Sequence, residues 1–163
     1  MAELLTAFRY LVTLTRTGSE SPEPTLLGDG GFAECSGLEL EADVREYLEG
    51  GRNDGVVRRV GRVKLVPIVL KRGMLGSGVN GYVDTALWSW LTGMVGGQLP
   101  VPRYNGFIQV FERGTQVAVA TWTFERGLPS KVTGPSLNAR TGEIAVEALH
   151  IVHEGLRLEV PTP

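Results

Sequence analysis

Only one stretch of this chain, residues 84–95, carries a helical period; everything else that is apolar is cut into short runs by glycine and proline. With 22 glycines and 9 prolines in 163 residues, turns come too often for a helical bundle. The runs between the turns are rich in β-branched and aromatic residues, which suit a pleated, half-buried surface. In the helical stretch Asp84 is the expected N-cap. Leu87, Trp88, Leu91, Met94 and Val95 form the expected apolar stripe, and Gly96 and Gly97 end it with Pro100 beyond. The expected class is mainly β: a small β-barrel or two packed antiparallel sheets, with one flanking α-helix at about residues 84–95.

Residues 8–15 (FRYLVTLT) read as a first strand. Residues 17–31 (TGSESPEPTLLGDGG) read as a surface loop, too short to separate two domains. Extended chain is expected over 32–48, then a polar turn around Asn53-Asp54-Gly55. Residues 62–72 (RVKLVPIVLKR) read as one strand in which Pro67 marks an edge or a bulge. Residues 105–112 and 115–125 form a hairpin across Arg113-Gly114, with Ala118, Ala120, Trp122 and Phe124 on one face. A long apolar run at 143–153 precedes a last strand in which Leu156, Leu158 and Val160 alternate. Seven or eight strands in a single domain spanning residues 1–163 are therefore expected.

The balance of charged side chains removes one class of function. Sixteen basic against eighteen acidic residues give a net charge of −2, whereas an electrostatic nucleic-acid binder is normally basic. The first ten residues lack a basic leader pattern and no run approaches the length of a membrane span, so folding in the cytosol is expected. The one cysteine, Cys35, has no partner for an internal disulfide. Flanking acids disfavour its thiolate, so a small buried thiol is expected rather than a nucleophile. His150 and His153 stand three apart in an extended run, where they point to opposite faces and cannot easily share a metal. Residues 73–78 (GMLGSG) lack the Lys-Ser/Thr that follows a phosphate cradle. No catalytic residues, cofactor or metal is expected, and the chain is read as no enzyme.

Charge is also segregated along the chain. Glu34, Glu39, Glu41, Asp43, Glu46 and Glu49 fall between residues 34 and 49 with Arg45 as the only base. Arg58, Arg59, Arg62, Lys64, Lys71 and Arg72 fall between 58 and 72 with no acid. Two readings follow. Neighbouring strands could neutralise one another within one molecule, or the two surfaces could face different neighbours in a head-to-tail contact. On the second reading, reversing Lys71 and Arg72 to Glu impairs assembly more than folding.

Seven short motifs occur in order. They are residues 31–38 (GFAECSGL), 46–51 (EYLEGG), 70–73 (LKRG), Leu87-Trp88-x-Trp90, Gly134-Pro135-x-Leu137-Asn138, Glu147-x-Leu149 and 153–156 (HEGL). In this order the chain resembles, from about residue 5 to 158, the phage-tail-like inner tube proteins of contractile injection systems, which share the phage tail tube and haemolysin-coregulated-protein-like fold. Two positions depart from the family pattern: Leu128-Pro129 stands where WP is usual, and Val60-Gly61 where PG is usual.

The resemblance implies a β-barrel-like subunit that forms hexameric rings stacked around a lumen, and it implies no enzymatic activity. The implied partners are the chain itself, a sheath protein, baseplate and tube-terminating proteins, and cargo in the lumen, with no specificity for nucleic acid. Assembly would be cytoplasmic, in a particle that can be released. Residues 46–60 would form an arm reaching the adjacent ring. The subunit-interface candidates are Glu34, Glu46, Glu49, Gly50, Gly51, Arg58, Arg59, Lys71 and Arg72. Two other functions remain open at this point. One is a tube-initiating subunit at the baseplate, for which the insertion at residues 19–30 could serve. The other is a small β-barrel ligand binder or enzyme using His150 or His153.

Overall fold

The structure is a computed structural model that describes residues 9–18, 31–51, 54–74, 76 and 81–160. Most of the loop expected at 17–31 lies outside the described residues, as do Phe8, Asn53 and half of the glycine-rich segment 73–78. The elements in chain order are β1 (Tyr10–Arg16), β2 (Glu34–Ser36), β3 (Leu40–Tyr47), β4 (Val57–Leu65), β5 (Ile68–Gly73), α1 (Ala86–Val95), β6 (Tyr104–Phe111), β7 (Ala118–Thr133), β8 (Val146–Val152) and β9 (Gly155–Glu159). Seven strands form one antiparallel sheet in the order β1-β6-β7-β8-β5-β2, with β9 added on β7, while β3 and β4 pair only with each other. The mainly β class with one helix is as expected. Among the described residues no ladder joins β1 to β2, so the sheet curls without closing.

The sixteen-residue strand β7 sets the shape. Its first part pairs with β6 and β9, and its last part pairs with β8. Between the two, Tyr104 pairs with Gly127 and Gly106 with Phe124, so three steps on β7 oppose two on β6. Such a bulge bends the strand that carries the extra residue. Arg126 lies in it with a φ of 52°, stabilised where the Asn105 side-chain carbonyl accepts its backbone N–H at 3.0 Å. On the far side of β7, Leu128 pairs with Val152 and Glu125 with Gly155. Strands β8 and β9 are thus one strand laid along β7 and interrupted at His153 and Glu154.

The bend folds the two parts of the sheet onto one core. Leu14, Ile108 and Phe124 from one part pack with Ile68, Leu70, Leu149 and Ile151 from the other. Strands β5, β6 and β8 bury every second residue, as a sheet with one covered face requires. Tyr10 at the start of β1 is close enough to β2 for the Cys35 and Glu34 charges to add to burial in raising its phenol pKa.

Two expected strands are each broken in two, at the same place in space. Residues 62–72 split at Val66-Pro67, because proline cannot donate to a ladder. Residues 32–48 split at Gly37. Gly37 has φ +86°, and a Cβ there would lie 2.1 Å from the Pro67 carbonyl oxygen, so only glycine fits this crossing. The crossing releases the β3–β4 hairpin from the main sheet.

The helix starts later than its cap signal indicated and keeps most of the expected stripe, with Leu87 buried and Trp88, Leu91 and Met94 half-buried. Asp84 lies two residues ahead of it and accepts the Ala86 N–H at 2.9 Å through its side chain. Its buried residues are Leu87 and Trp90, whereas Val95 of the expected stripe is 78% exposed.

Gly106 faces the ring of Phe124 so closely that an added Cβ would sit 2.0 Å from it. Because Phe124 is fully buried, Gly106→Ala is expected to cost about 1–3 kcal/mol of stability by overpacking. Denaturant unfolding measures this, and an unchanged midpoint would show that the Phe124 ring can move aside.

Candidate functional site

Two features stand out, one buried and one bare. The buried one gathers residues from four of the seven motifs. Arg72 and Glu147 are direct cross-strand partners on β5 and β8, and both point into the interior at 3% and 1% exposure. Arg72 Nε donates to Glu147 Oε1 at 2.6 Å, and Trp88 Nε1 donates to Glu147 Oε2 at 2.8 Å. Arg72 Nη1 also meets Asp84 Oδ2 at 3.1 Å, and its guanidinium lies 6.0 Å from the Phe32 ring centroid. Ion pairs this deep hold only when nearly every polar atom finds a partner. A second anchor fixes the other side of the helix: Trp90 Nε1 donates to the Pro102 carbonyl at 2.8 Å, and its ring meets Tyr104 edge-on at 4.8 Å.

The bare feature is the β3–β4 hairpin, which scarcely touches any other element. Leu40 pairs with Leu65, Ala42 with Val63 and Val44 with Val60, so these six share one face. That face is uncovered: Val44 is 59%, Val63 54% and Val60 75% exposed. The opposite face is polar. Lys64 bonds Asp43 at 2.6 Å, and Arg59 lies over the Tyr47 ring at 5.4 Å. A two-stranded hairpin with an open apolar face is marginal in water by itself. The hairpin runs from residue 40 to 65, so it includes residues 46–60 as its outer part.

The interface candidates fall into three places. Glu34 and Lys71 bond each other across β2 and β5 at 2.9 Å, and Glu46 bonds Arg58 across the hairpin at 3.2 Å. Glu49, Gly50 and Gly51 are exposed at the end of the hairpin, beside Leu48 at 86% exposure. Arg72 is inside. Three cross-strand pairs, Glu34–Lys71, Asp43–Lys64 and Glu46–Arg58, thus join the acidic and basic runs within one chain, while Arg72 pairs with Asp84 and Glu147 outside the acidic run. Each exposed pair contributes about 0–1 kcal/mol. Reversing Arg72 would place a third carboxylate against Glu147 and Asp84, and the loss would appear in folding rather than in assembly alone.

The remaining reactive side chains are engaged or suppressed. Burial pushes the Cys35 thiol up to about 11, so it carries little thiolate at neutral pH. Both ring nitrogens of His153 face backbone carbonyls, Gly155 O at 3.1 Å and Val66 O at 3.0 Å, which ties the break in the long strand to the base of the hairpin. Among the described residues no group of three His, Cys, Asp or Glu could hold a metal, and no helix is long and apolar enough to cross a membrane.

A β-rich body that pins its one helix by a buried ion pair and leaves an amphipathic hairpin bare has the architecture of a structural, self-assembling protein. The chain belongs to the T4-like virus tail tube protein gp19 family, whose model matches residues 6–157. Its fold is also that of several solved structures, each sharing 21% identity. A chain of the anti-feeding prophage baseplate, 6-fold symmetrised, superposes with a TM-score of 0.78 over 98% of both chains. A chain of the sheath–tube complex of the extracellular contractile injection system PVC, in the extended state, gives 0.76 over 97% of this chain and 93% of that one. A chain of the PVC sheath/tube terminator gives 0.77 over 98% and 99%. No curated protein matches the sequence.

The buried cluster makes a direct prediction. Glu147→Ala removes the acceptor of both Arg72 and Trp88, and is expected to destabilise the chain by about 3–5 kcal/mol. Glu147→Gln keeps an acceptor for Trp88 and should cost less. Denaturant unfolding monitored by tryptophan fluorescence checks both, and equal midpoints for the wild type and Glu147→Ala would show that the cluster does not hold the helix.

Proposed function

We propose that this chain builds the wall of the inner tube of a contractile injection particle, as hexameric rings stacked around a lumen, and that it catalyses no reaction. The observation that carries the reading is the β3–β4 hairpin, whose apolar face is exposed and has no cover among the described residues. A neighbouring subunit that covers it would bury Val44, Val60 and Val63, for about 1 kcal/mol each. It would also give the exposed strand edges a partner other than an aggregate.

Family membership and the particles in which the similar chains occur support the same reading. Those particles include a six-fold baseplate, a sheath–tube complex and a tube terminator. A sheath outside, a baseplate at one end and a terminating protein at the other are accordingly the expected partners, with cargo in the lumen. Assembly takes place in the cytoplasm, and the tube leaves the cell as part of the particle. The arm that reaches the adjacent ring is the outer part of the hairpin, at residues 46–60.

Neither alternative has an observation in its favour. Residues 19–30, on which a baseplate-initiating role would rest, lie outside the described residues. His153 is committed to two backbone carbonyls, and among the described residues no group that could hold a metal includes His150.

Negative-stain microscopy of the purified chain over a range of concentrations tests the proposal. Rings or hollow tubes are expected, and Val44→Asp with Val60→Asp should abolish them while leaving the circular dichroism spectrum unchanged. Small monodisperse particles at every concentration would overturn it.

A further inference from the structure

A second surface feature lies close to the base of the hairpin. Arg16 at the end of β1, Arg103 just before β6 and Arg126 in the β7 bulge line a cleft of about 450 Å³, with residues 99–102 as an apolar wall. The carboxylate that meets two of these guanidiniums is Glu154. Its Oε1 accepts from Arg103 Nη1 at 2.9 Å and its Oε2 from Arg126 Nε at 2.8 Å. Arg16 pairs with no carboxylate among the described residues. Three guanidiniums and one carboxylate leave the cleft with two uncompensated positive charges. Leu99 on the wall is 81% exposed. A guanidinium fork matches the plane and the two oxygens of a carboxylate, so the cleft fits an acidic side chain with an apolar neighbour.

The tip of the hairpin offers that pair. Leu48 and Glu49 stand side by side, both exposed, and Glu49 has no ion-pair partner among the described residues. The tip segment 48–56 (LEGGRNDGV) holds two acids and one base, opposite in net sign to the cleft.

The tip cannot reach the cleft of its own chain. The hairpin's base is bonded through Val66 to His153, next to Glu154, whose carboxylate meets Arg103 and Arg126 at the cleft. Eight extended residues of β3 then carry the tip about 26 Å away from that base. We infer that the cleft is the receptor for the hairpin tip of a second copy. Glu49 enters between Arg16 and the Arg103–Arg126 pair, and Leu48 packs on the wall at 99–102. This deepens the tube reading and rests on it, since it names the two surfaces through which one subunit holds the next.

Charge reversal with rescue tests the contact. Arg16 and Glu49 are exposed and take no part in the core, so Arg16→Glu and Glu49→Arg should fold normally by circular dichroism. Each alone is expected to raise the protein concentration needed for tube formation about tenfold or more. Together they should restore assembly close to wild type, because only a direct pair is repaired by exchange. Sedimentation and microscopy read the result. If wild type forms tubes and the reversals assemble equally well, or if the double variant is no better than either single one, the contact is wrong while the tube reading stands. If wild type forms neither rings nor tubes, the tube reading falls and takes this contact with it. As an independent check, Cys35→Ser chains carrying Arg16→Cys or Glu49→Cys are mixed under mild oxidation. A disulfide-linked dimer of the two is expected, and its absence from assembled tubes contradicts the inference.

Discussion

The interior of this subunit is organised by one ion pair, Arg72 with Glu147. A guanidinium with so little access to water is costly unless its charge and its N–H groups are all met. Here they are met by Glu147 from the neighbouring strand and by Asp84 from the turn that opens the helix. Glu147 uses its second oxygen to hold Trp88. The pair therefore ties β5, β8 and α1 together at one point. Trp90, two residues further on, points elsewhere, since residues two apart do not share a helix face. It reaches Pro102, just before β6, and Tyr104 at the start of β6, in the part of the sheet on the other side of the β7 bend. One short helix thus bridges both parts of the sheet, and the shape set by the bulge at Arg126 is held by these two tryptophans.

Much of this was legible in the sequence, and what was missed has physical causes. The single helix, the β6–β7 hairpin and the late strands follow from period and turn chemistry. The inward position of Arg72 was also open to reading. In IVLKRG, Ile68 and Leu70 alternate inward and Arg72 is next in that series; in VEALHIV, Glu147, Leu149 and Ile151 do the same. Each strand thus carries one charge on its apolar face, of opposite sign, at matching ends. Within the run of bases at 58–72, Lys71 is half-exposed and Arg72 buried, a difference that charge composition does not carry. The breaks at Gly37 and Pro67 were less accessible, because they depend on two distant chain segments crossing at van der Waals distance. In the helix Trp90 reaches the core from outside the apolar stripe, because its indole N–H finds the Pro102 carbonyl and its ring meets Tyr104. The cleft gave no signal at all, since Arg16, Arg103, Arg126 and Glu154 come from four separate parts of the chain.

The hairpin inverts the logic of the core. Its cross-strand charge pairs are exposed and individually weak, so they set its register more than they stabilise it. Its apolar face is fully formed and faces water. A strand pair in that condition is stable when another surface completes it, and a tube made of identical rings supplies one copy of that surface for every hairpin. Folding and assembly then divide between two regions: the buried ion pair fixes the body, and the hairpin waits for its neighbour. Three cross-strand pairs between the acidic and basic runs stay within the chain, and in the proposed assembly the apolar face and the tip make the contact.

Hydrogen exchange of the hairpin amides, read in the dispersed chain and in assembled tubes, addresses this division most directly. The account predicts that residues 40–47 and 57–65 exchange quickly in the dispersed chain while β5 to β8 stay protected, and that assembly slows the hairpin by orders of magnitude. Equal protection of the hairpin in both states would mean that it is stable without a neighbour, and would contradict the claim that assembly completes it.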